Sequence, residues 1–255
     1  DHVKLSGGGP TGVVLDEARN RAFVTTRFDN GISIVSTSGR MSESAHVTMN
    51  NPEPAVVKNG RRFLYDATYT SSRGDSSCAG CHIFGNMDHL AWDLGNPDED
   101  VAEVVNTYNR NTPSFLGNDE FHPMKGPMTT QSFRGMKGNG PMHWRGDRQA
   151  QTRSAGETLE EQSFEDFIVA FPGLLGRATP LTDQEMDAFA KYALELTYPP
   201  NPVMNLDNSL TAQLEQAYDV YNNKRTDGTI TCNGCHRIDP VNGNFGTDGT
   251  MTIEG

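Results

Sequence analysis

Long apolar runs are missing from this chain. No stretch approaches the roughly 20 consecutive apolar residues that a membrane helix requires, which excludes a helical membrane span. Basic charge is also scarce: 21 Lys and Arg stand against 33 Asp and Glu, for a net charge of −12. That balance argues against nucleic acid and against an anionic membrane surface as partners. It favours a basic protein partner, although an acidic surface also serves simply to keep a protein in solution. Hydrophobic residues make up 35% of the 255 positions and mean hydropathy is −0.59, low for a chain of this length. With 26 Gly and 14 Pro, the composition points to long loops wrapped on something, not to a helix-dense bundle.

Cysteine is rare, and its placement is informative. All four cysteines fall into two copies of one pattern, Cys78-Ala79-Gly80-Cys81-His82 and Cys232-Asn233-Gly234-Cys235-His236. Cys-x-x-Cys-His is the attachment signature of c-type haem. Two thiols at this spacing add across the two vinyl groups of one porphyrin, and the next residue brings an imidazole to the iron. The alternatives are zinc and thiol redox chemistry. A zinc ribbon needs its pairs close together, whereas Cys81 and Cys232 are far apart, and a redox pair would occur once. The motifs therefore predict two covalent haems c, with His82 and His236 as proximal ligands. A large apolar cofactor also accounts for the modest aliphatic content.

Residues 12–37 read as β structure. The apolar run Gly12-Val13-Val14-Leu15, the turn-like Asp16–Asn20, the alternation from Arg21 to Phe28 and the turn Asp29-Asn30-Gly31 before Ile32-Ser33-Ile34-Val35 give strand, turn, strand, turn, strand. The stretch Phe23-Val24-Thr25-Thr26 resembles part of a β-propeller blade of the YVTN type; the simpler reading is a plain hairpin. From Pro54 to Ala67 a helix is expected, interrupted at Gly60. Residues 96–140 hold many Pro, Gly and Asn, and a long irregular stretch of this kind suits covering a haem and delivering its sixth ligand. Thr158-Leu159-Glu160-Glu161 and Thr182-Asp183-Gln184-Glu185 are capping boxes that open helices. The second helix carries an apolar stripe through Met186, Phe189, Ala190 and Ala193, and it is expected to pack on the opening helix. Pro199, Pro200 and Pro202 end this region. A further helix, with Asn208 as a candidate cap, precedes the second motif, so the order helix, loop, motif occurs twice.

The distal iron ligand decides what such a haem does. His89 follows His82 too closely to reach the opposite side. His122, within Phe121-His122-Pro123-Met124-Lys125-Gly126-Pro127-Met128, is the first candidate. His143, within Pro141-Met142-His143-Trp144-Arg145-Gly146-Asp147-Arg148, is the second. Met124, Met128 or an open position complete the alternatives. After His236, Met251 is the only methionine.

These elements together resemble the bacterial dihaem cytochrome c peroxidase superfamily from about residue 54 onward. The resemblance places His122, ahead of Lys125-Gly126-Pro127, as distal ligand of the first haem. It aligns Trp144-Arg145-Gly146-Asp147-Arg148 with a Phe-Trp-Asp-Gly-Arg element, which makes Trp144 a candidate electron relay between haems. Arg145 and Arg148 become candidates for holding haem propionates, or for pairing with Asp147. It aligns Leu159-Glu160-Glu161-Gln162 with an element whose Gln lines the peroxide-side pocket, which makes Gln162 a candidate catalytic residue. The family's acid–base Glu is replaced here by Ala170-Phe171-Pro172-Gly173, and Glu165 and Asp166 stand nearby but displaced.

The expectation is therefore a mainly α protein. Two cytochrome c-like haem domains, the second incomplete, follow a short β-hairpin or propeller-blade segment. The boundaries fall at residues 1–50, 51–203 and 204–255. The expected chemistry is peroxidase-like, with the second haem feeding electrons to the first. The alternatives are a pure electron carrier with both irons six-coordinate, or a binding protein in which the propeller recognises a ligand. Expected partners are a small redox protein or a quinol-side electron donor, with hydrogen peroxide as a candidate substrate. Calcium is an open addition that the residues do not specify. Haem c is attached outside the cytoplasm, so a periplasmic or exported location is expected. The start Asp1-His2-Val3-Lys4 is no signal peptide and little chain follows His236, so the expectation is a processed chain or a piece of a longer one.

Overall fold

The alternating residues near the start form strands in a computed structural model of the chain, which describes residues 2–103, 120–150, 156–207, 209–226 and 228–234. Strands β1 (Pro10–Asp16), β2 (Arg21–Thr26), β3 (Gly31–Ser36) and β4 (Ser42–Thr48) pair antiparallel in chain order. Asn20 and Asn30 turn the chain at φ of 50° and 56°, a left-handed conformation that asparagine tolerates better than most residues. The strand–turn–strand expectation for residues 12–37 is met, and β4 extends it.

The sheet holds a polar lock. Ser33 is fully buried, and its Oγ lies 3.0 Å from Nδ1 of His46. Nε2 of His46 is 2.5 Å from one carboxylate oxygen of Asp29, and Thr26 donates to the other at 2.7 Å. Burial pushes the Asp29 carboxyl up, but hydrogen bonds from Thr26 and His46 outweigh it and hold the group below its ordinary value. Strands β2 and β3 and the turn between them are thereby tied to β4.

Contacts divide the chain into two units, Asp1–Gly80 with Ala170–Tyr192, and Cys81–Val169 with Ala193–Gly255. The first unit contains the sheet, α1 (Ala55–Tyr65), α2 (Ala67–Thr70), α4 (Ala170–Gly173) and most of α5 (Asp183–Leu194). Glu53 clamps the chain ahead of α1. It accepts from both terminal nitrogens of Arg27, at 2.5 and 3.0 Å, and from Arg61 at 2.5 Å. These bonds pull its carboxyl down to about 2. Thr182 and Glu185 cap α5 reciprocally, at 3.0 and 3.3 Å, as the capping box predicts. The apolar stripe of α5 meets α1, with the Phe63 and Phe189 ring centroids 6.1 Å apart and Leu64, Met186 and Ala190 buried. Gly60 is an interruption in composition but not in geometry. A Cβ there would stand 2.2 Å from Cβ of Tyr192 and 2.4 Å from the Ala188 carbonyl oxygen, so only glycine lets α1 and α5 approach this closely.

The second unit is built differently. Strand β5 (Ala91–Trp92) pairs with β8 (Met128–Thr129), and β6 (Ala102–Glu103) with β7 (Glu120–Phe121). α3 (Leu159–Glu165) and α6 (Ala212–Asn223) are its helices. The expectation of a mainly α chain with two cytochrome c-like domains is overturned here. The described residues form a four-stranded antiparallel sheet, two short ladders and helices, and among those described helices only α1, α5 and α6 exceed ten residues, at 11, 12 and 12. The reason is physical. Pro and Gly punctuate residues 83–150, so the described backbone there closes its hydrogen bonds in turns and two-residue ladders. β4 gives a weak signal in the sequence because its first three residues, Ser42, Glu43 and Ser44, are polar and its apolar alternation is confined to Ala45 and Val47.

Two outcomes follow from this packing. Gly60→Ala is expected to destabilise the protein by about 1–3 kcal/mol through overpacking, read as a lower midpoint in urea or guanidinium unfolding. Glu53 titrates at about 2 in the fold against an ordinary 4.5, so its contribution is fully present above pH 4.5. It is lost as pH falls from there towards 2. Glu53→Gln should therefore lower thermal stability at neutral pH and flatten its acid dependence, as differential scanning calorimetry across that window would measure.

Candidate haem centre

The first motif opens in a short 3-10 turn, Cys78–Gly80, in which the Gly80 N–H donates to the Ser77 carbonyl at 2.9 Å. Thr70 donates its hydroxyl to the Ser76 carbonyl at 3.2 Å, so the end of α2 fixes the approach to Cys78. The division between units falls inside the motif, after Gly80. Cys78 belongs to the first unit, and Cys81 and His82 to the second. Both cysteines are half-buried, and neither forms a disulfide. Burial, then the nearby Asp88, pushes the Cys81 thiol up, which keeps it protonated and short of stray thiolate chemistry.

His82 is held firmly. Its Nδ1 lies 2.7 Å from the Gln131 carbonyl oxygen. A carbonyl only accepts, so Nδ1 carries the proton and Nε2 presents its lone pair. The Phe133 ring packs on the imidazole at 4.1 Å between centroids. Burial pushes the His82 pKa down against the hydrogen bond to Gln131, and the neutral ring is the ligating form. The chain then turns through Ile83–Gly85, with Phe84 at φ 54°, left-handed and strained for a bulky residue. This turn holds Phe84 79% exposed beside His82. Arg134 secures the turn by donating to the Phe84 carbonyl at 3.1 Å. Within the second unit, Cys81, the tautomer-fixed His82 imidazole and the exposed Phe84 are donor and apolar groups of the kind a covalently held haem would use, and the Nδ1 partner is the orienting contact that a metal-bound histidine needs.

The other predicted residues of this unit gather on two loops. Asp147 joins them. Its carboxylate lies 2.8 Å from Nδ1 of His143, 3.1 Å from Nζ of Lys125 and 3.5 Å from Arg145. Burial raises the Asp147 carboxyl, but His143 and Lys125 outweigh it and hold the group far below the usual carboxylate range. The loop 142–148 is closed by paired backbone bonds between Met142 and Arg148, at 2.9 and 3.3 Å, and His143 sits in it at φ 68°. His122 is exposed, and its Nδ1 accepts the Met124 N–H at 3.1 Å. Arg145 donates to the His122 carbonyl at 2.6 Å, and Arg148 lies over Phe167 at 5.5 Å. The Nε atoms of both arginines are buried with no hydrogen-bond partner among the described residues. Trp144 is 60% exposed, with its indole N–H donating to the Thr129 carbonyl at 2.7 Å.

Helix α3 delivers Gln162 and Phe164. Thr158 and Glu161 form the full reciprocal capping box, as their spacing predicts. Gln162 is 3% exposed. Its amide N–H donates to Glu157, and its Oε1 is buried without a partner among the described residues. Phe164 bridges Phe133 and Phe167, at centroid separations of 5.6 and 5.7 Å.

At the second motif, Thr211 caps α6 by accepting from the Leu214 N–H at 3.4 Å; Asn208, the candidate cap from sequence, lies outside the described residues. Cys232 starts another 3-10 turn, Cys232–Gly234, and its Sγ lies 3.3 Å from the Thr226 hydroxyl. Cys235, His236 and Met251 lie outside the described residues. Sequence reasoning named Asp147 as a partner for Arg145, which the structure shows, but it did not single out Gln131, Phe133 or the contacts of Asp147 to His143 and Lys125. Gln131 acts through its backbone carbonyl, which any residue supplies, so composition gives no signal for it. For the contact to His143, the signal was the four-residue spacing between His143 and Asp147.

No protein-family model matches the chain, and no curated protein does. Among solved structures, the chain is similar to hydrazine synthase of Kuenenia stuttgartiensis, in a structure pressurised with xenon. The two share 22% identity with a TM-score of 0.49, over 79% of this chain and 55% of that one. The chain thus spans about half the length of that structure's chain, and a likeness this distant carries no argument. Among the described residues no helix is long and apolar enough to cross a membrane.

Removing the cap that orients Gln162 and Phe164 should be measurable. Thr158→Ala is expected to cost about 1 kcal/mol, seen as a reduced denaturation midpoint with unchanged slope.

Proposed function

We propose that the chain is a c-type haem protein that transfers electrons. One haem is joined through Cys78 and Cys81 with His82 as proximal ligand, and a second through Cys232 and Cys235 with His236. The observation that carries this reading is the His82 imidazole: it directly follows a Cys-x-x-Cys pair, with Nδ1 donating to the Gln131 carbonyl at 2.7 Å and the lone pair left on Nε2. Haem held this way supplies a one-electron couple whose potential follows its axial ligands, hydrogen bonding and burial.

The residues of this chain do the remainder. Gln131 and Phe133 hold the His82 ring in one orientation. Arg145 and Arg148 present guanidinium groups suited to propionate carboxylates. Trp144, fixed by the Thr129 carbonyl, is the candidate relay for electrons between haems. The net charge of −12 suits a basic redox protein as partner, with a quinol-side donor as the other class, and steers such encounters at low salt. Because c-type haem is attached outside the cytoplasm, a periplasmic or other exported location is part of this proposal.

Peroxide reduction is the second reading. Supporting it is Gln162, buried on α3 with an unpartnered Oε1. Against it stands Ala170–Gly173, where the resembling family carries its acid–base carboxylate. Electron transfer is therefore the primary function proposed, and Gln162 is the residue to test for more.

Intact-mass analysis and haem quantitation of matured protein test this directly. Two covalent haems per chain are expected, falling to one covalent haem with both thioether links in Cys81→Ala. A colourless, unmodified chain would overturn the reading. With one haem reduced, a spectral change on adding hydrogen peroxide that disappears in Gln162→Leu would establish the second reading over the first.

A further inference from the structure

We infer that His143, oriented by Asp147, is the second axial ligand of the first haem, in place of His122. This rests on the haem reading above and adds the ligand that sets the coordination of that iron. An imidazole that binds iron through Nε2 needs its proton on Nδ1, and it needs an acceptor there to keep it.

His82, His89, His122 and His143 are the histidines described in the second unit. Two of them have Nδ1 committed to a group that can only accept: His82 to the Gln131 carbonyl at 2.7 Å and His143 to the Asp147 carboxylate at 2.8 Å. His122 shows the opposite polarity. Its Nδ1 accepts the Met124 N–H at 3.1 Å, which places the proton on Nε2 and turns that nitrogen into a donor. Ligation by His122 through Nε2 would break this bond and exchange the tautomer.

Packing adds a second, independent support. His143 sits edge-on to Phe167 at 4.6 Å, Phe167 meets Phe164 at 5.7 Å, Phe164 meets Phe133 at 5.6 Å, and Phe133 lies on His82 at 4.1 Å. One aromatic cluster therefore supports both imidazoles. His143 is also held on a left-handed backbone, φ 68°, within a loop closed on both sides by the Met142–Arg148 bonds. Strain of this kind persists only where the surroundings fix it. Among the described residues, Asp147, Lys125, Arg148 and His82 are the charged or titratable groups that act on or feel His143, and Asp147 is the one hydrogen-bonded to its Nδ1.

The test is ferric electron paramagnetic resonance and absorption of the haem-loaded full chain. His143→Gly is the informative variant, because glycine relieves the left-handed backbone and leaves a cavity at the ring. A high-spin signal is expected from one haem of the two, and added imidazole should restore the low-spin form. His122→Ala should leave the spectrum unchanged. Asp147→Asn should keep the low-spin signal while raising the midpoint potential of that haem, since a neutral partner makes the ligand a poorer electron donor. A wild-type first haem that is already high-spin, or one that stays low-spin in His143→Gly, overturns the inference. So does loss of the low-spin form in His122→Ala alone. Absence of covalent haem from the wild-type chain is a different result, and overturns the functional reading itself.

Discussion

A carbonyl oxygen with no choice but to accept fixes the tautomer and orientation of His82. The Gln131 carbonyl at 2.7 Å from Nδ1 of His82 sets which nitrogen is protonated, which is bare and which way the ring faces. Every other feature around the motif supports that arrangement. Phe133 stacks on the ring, its own N–H donates to the Gly85 carbonyl at 3.2 Å, and Gly85 in turn donates to the His82 carbonyl at 2.9 Å. His82 is thus enclosed by backbone bonds on a strained turn, a geometry that resists the ring rotation a free surface histidine would undergo. A bond to backbone also tolerates sequence change, because the acceptor does not depend on the side chain at position 131.

The two units reach stability by different means. The first buries a conventional core, with Phe63, Leu64, Phe171, Met186, Phe189 and Ala190 almost wholly removed from water, and closes its helix crossing through Gly60. The polar lock of Ser33, His46 and Asp29 adds register to its sheet, because a one-residue slip of β4 would carry His46 to the opposite face. The second unit has fewer buried apolar side chains among its described residues. It relies instead on Asp147 and on the turn chemistry of Asp88, whose carboxylate takes the Leu90 N–H at 3.0 Å and the Trp92 indole at 2.9 Å. Loops of this kind have poor intrinsic stability, so a large prosthetic group at their centre would contribute substantially to holding them.

Much of this was legible in the residues. The two capping boxes, the apolar stripe of α5 and the strands between residues 12 and 37 all express local rules, since each is set by neighbours within four or so positions. What escaped was non-local. β4 is polar and forms only because β3 offers it a partner. Gly60 reads as a helix breaker until Tyr192 is seen against it. His122 and His143 look equivalent along the chain, each in a stiffened loop among methionines and prolines. Only the identity of the atom facing Nδ1, an N–H in one case and a carboxylate in the other, separates them.

If His82 and His143 bind iron as proposed, that separation bears on the potential of the centre. A carboxylate behind an axial imidazole strengthens its electron donation, which favours the oxidised metal and lowers the potential. A carbonyl does the same more weakly. With the Gln131 carbonyl behind one ring and Asp147 behind the other, both axial donors would be biased in one direction, giving the first iron a low potential. Asp147 is itself restrained by Lys125 and Arg145, so part of its charge is already neutralised and the bias is moderated.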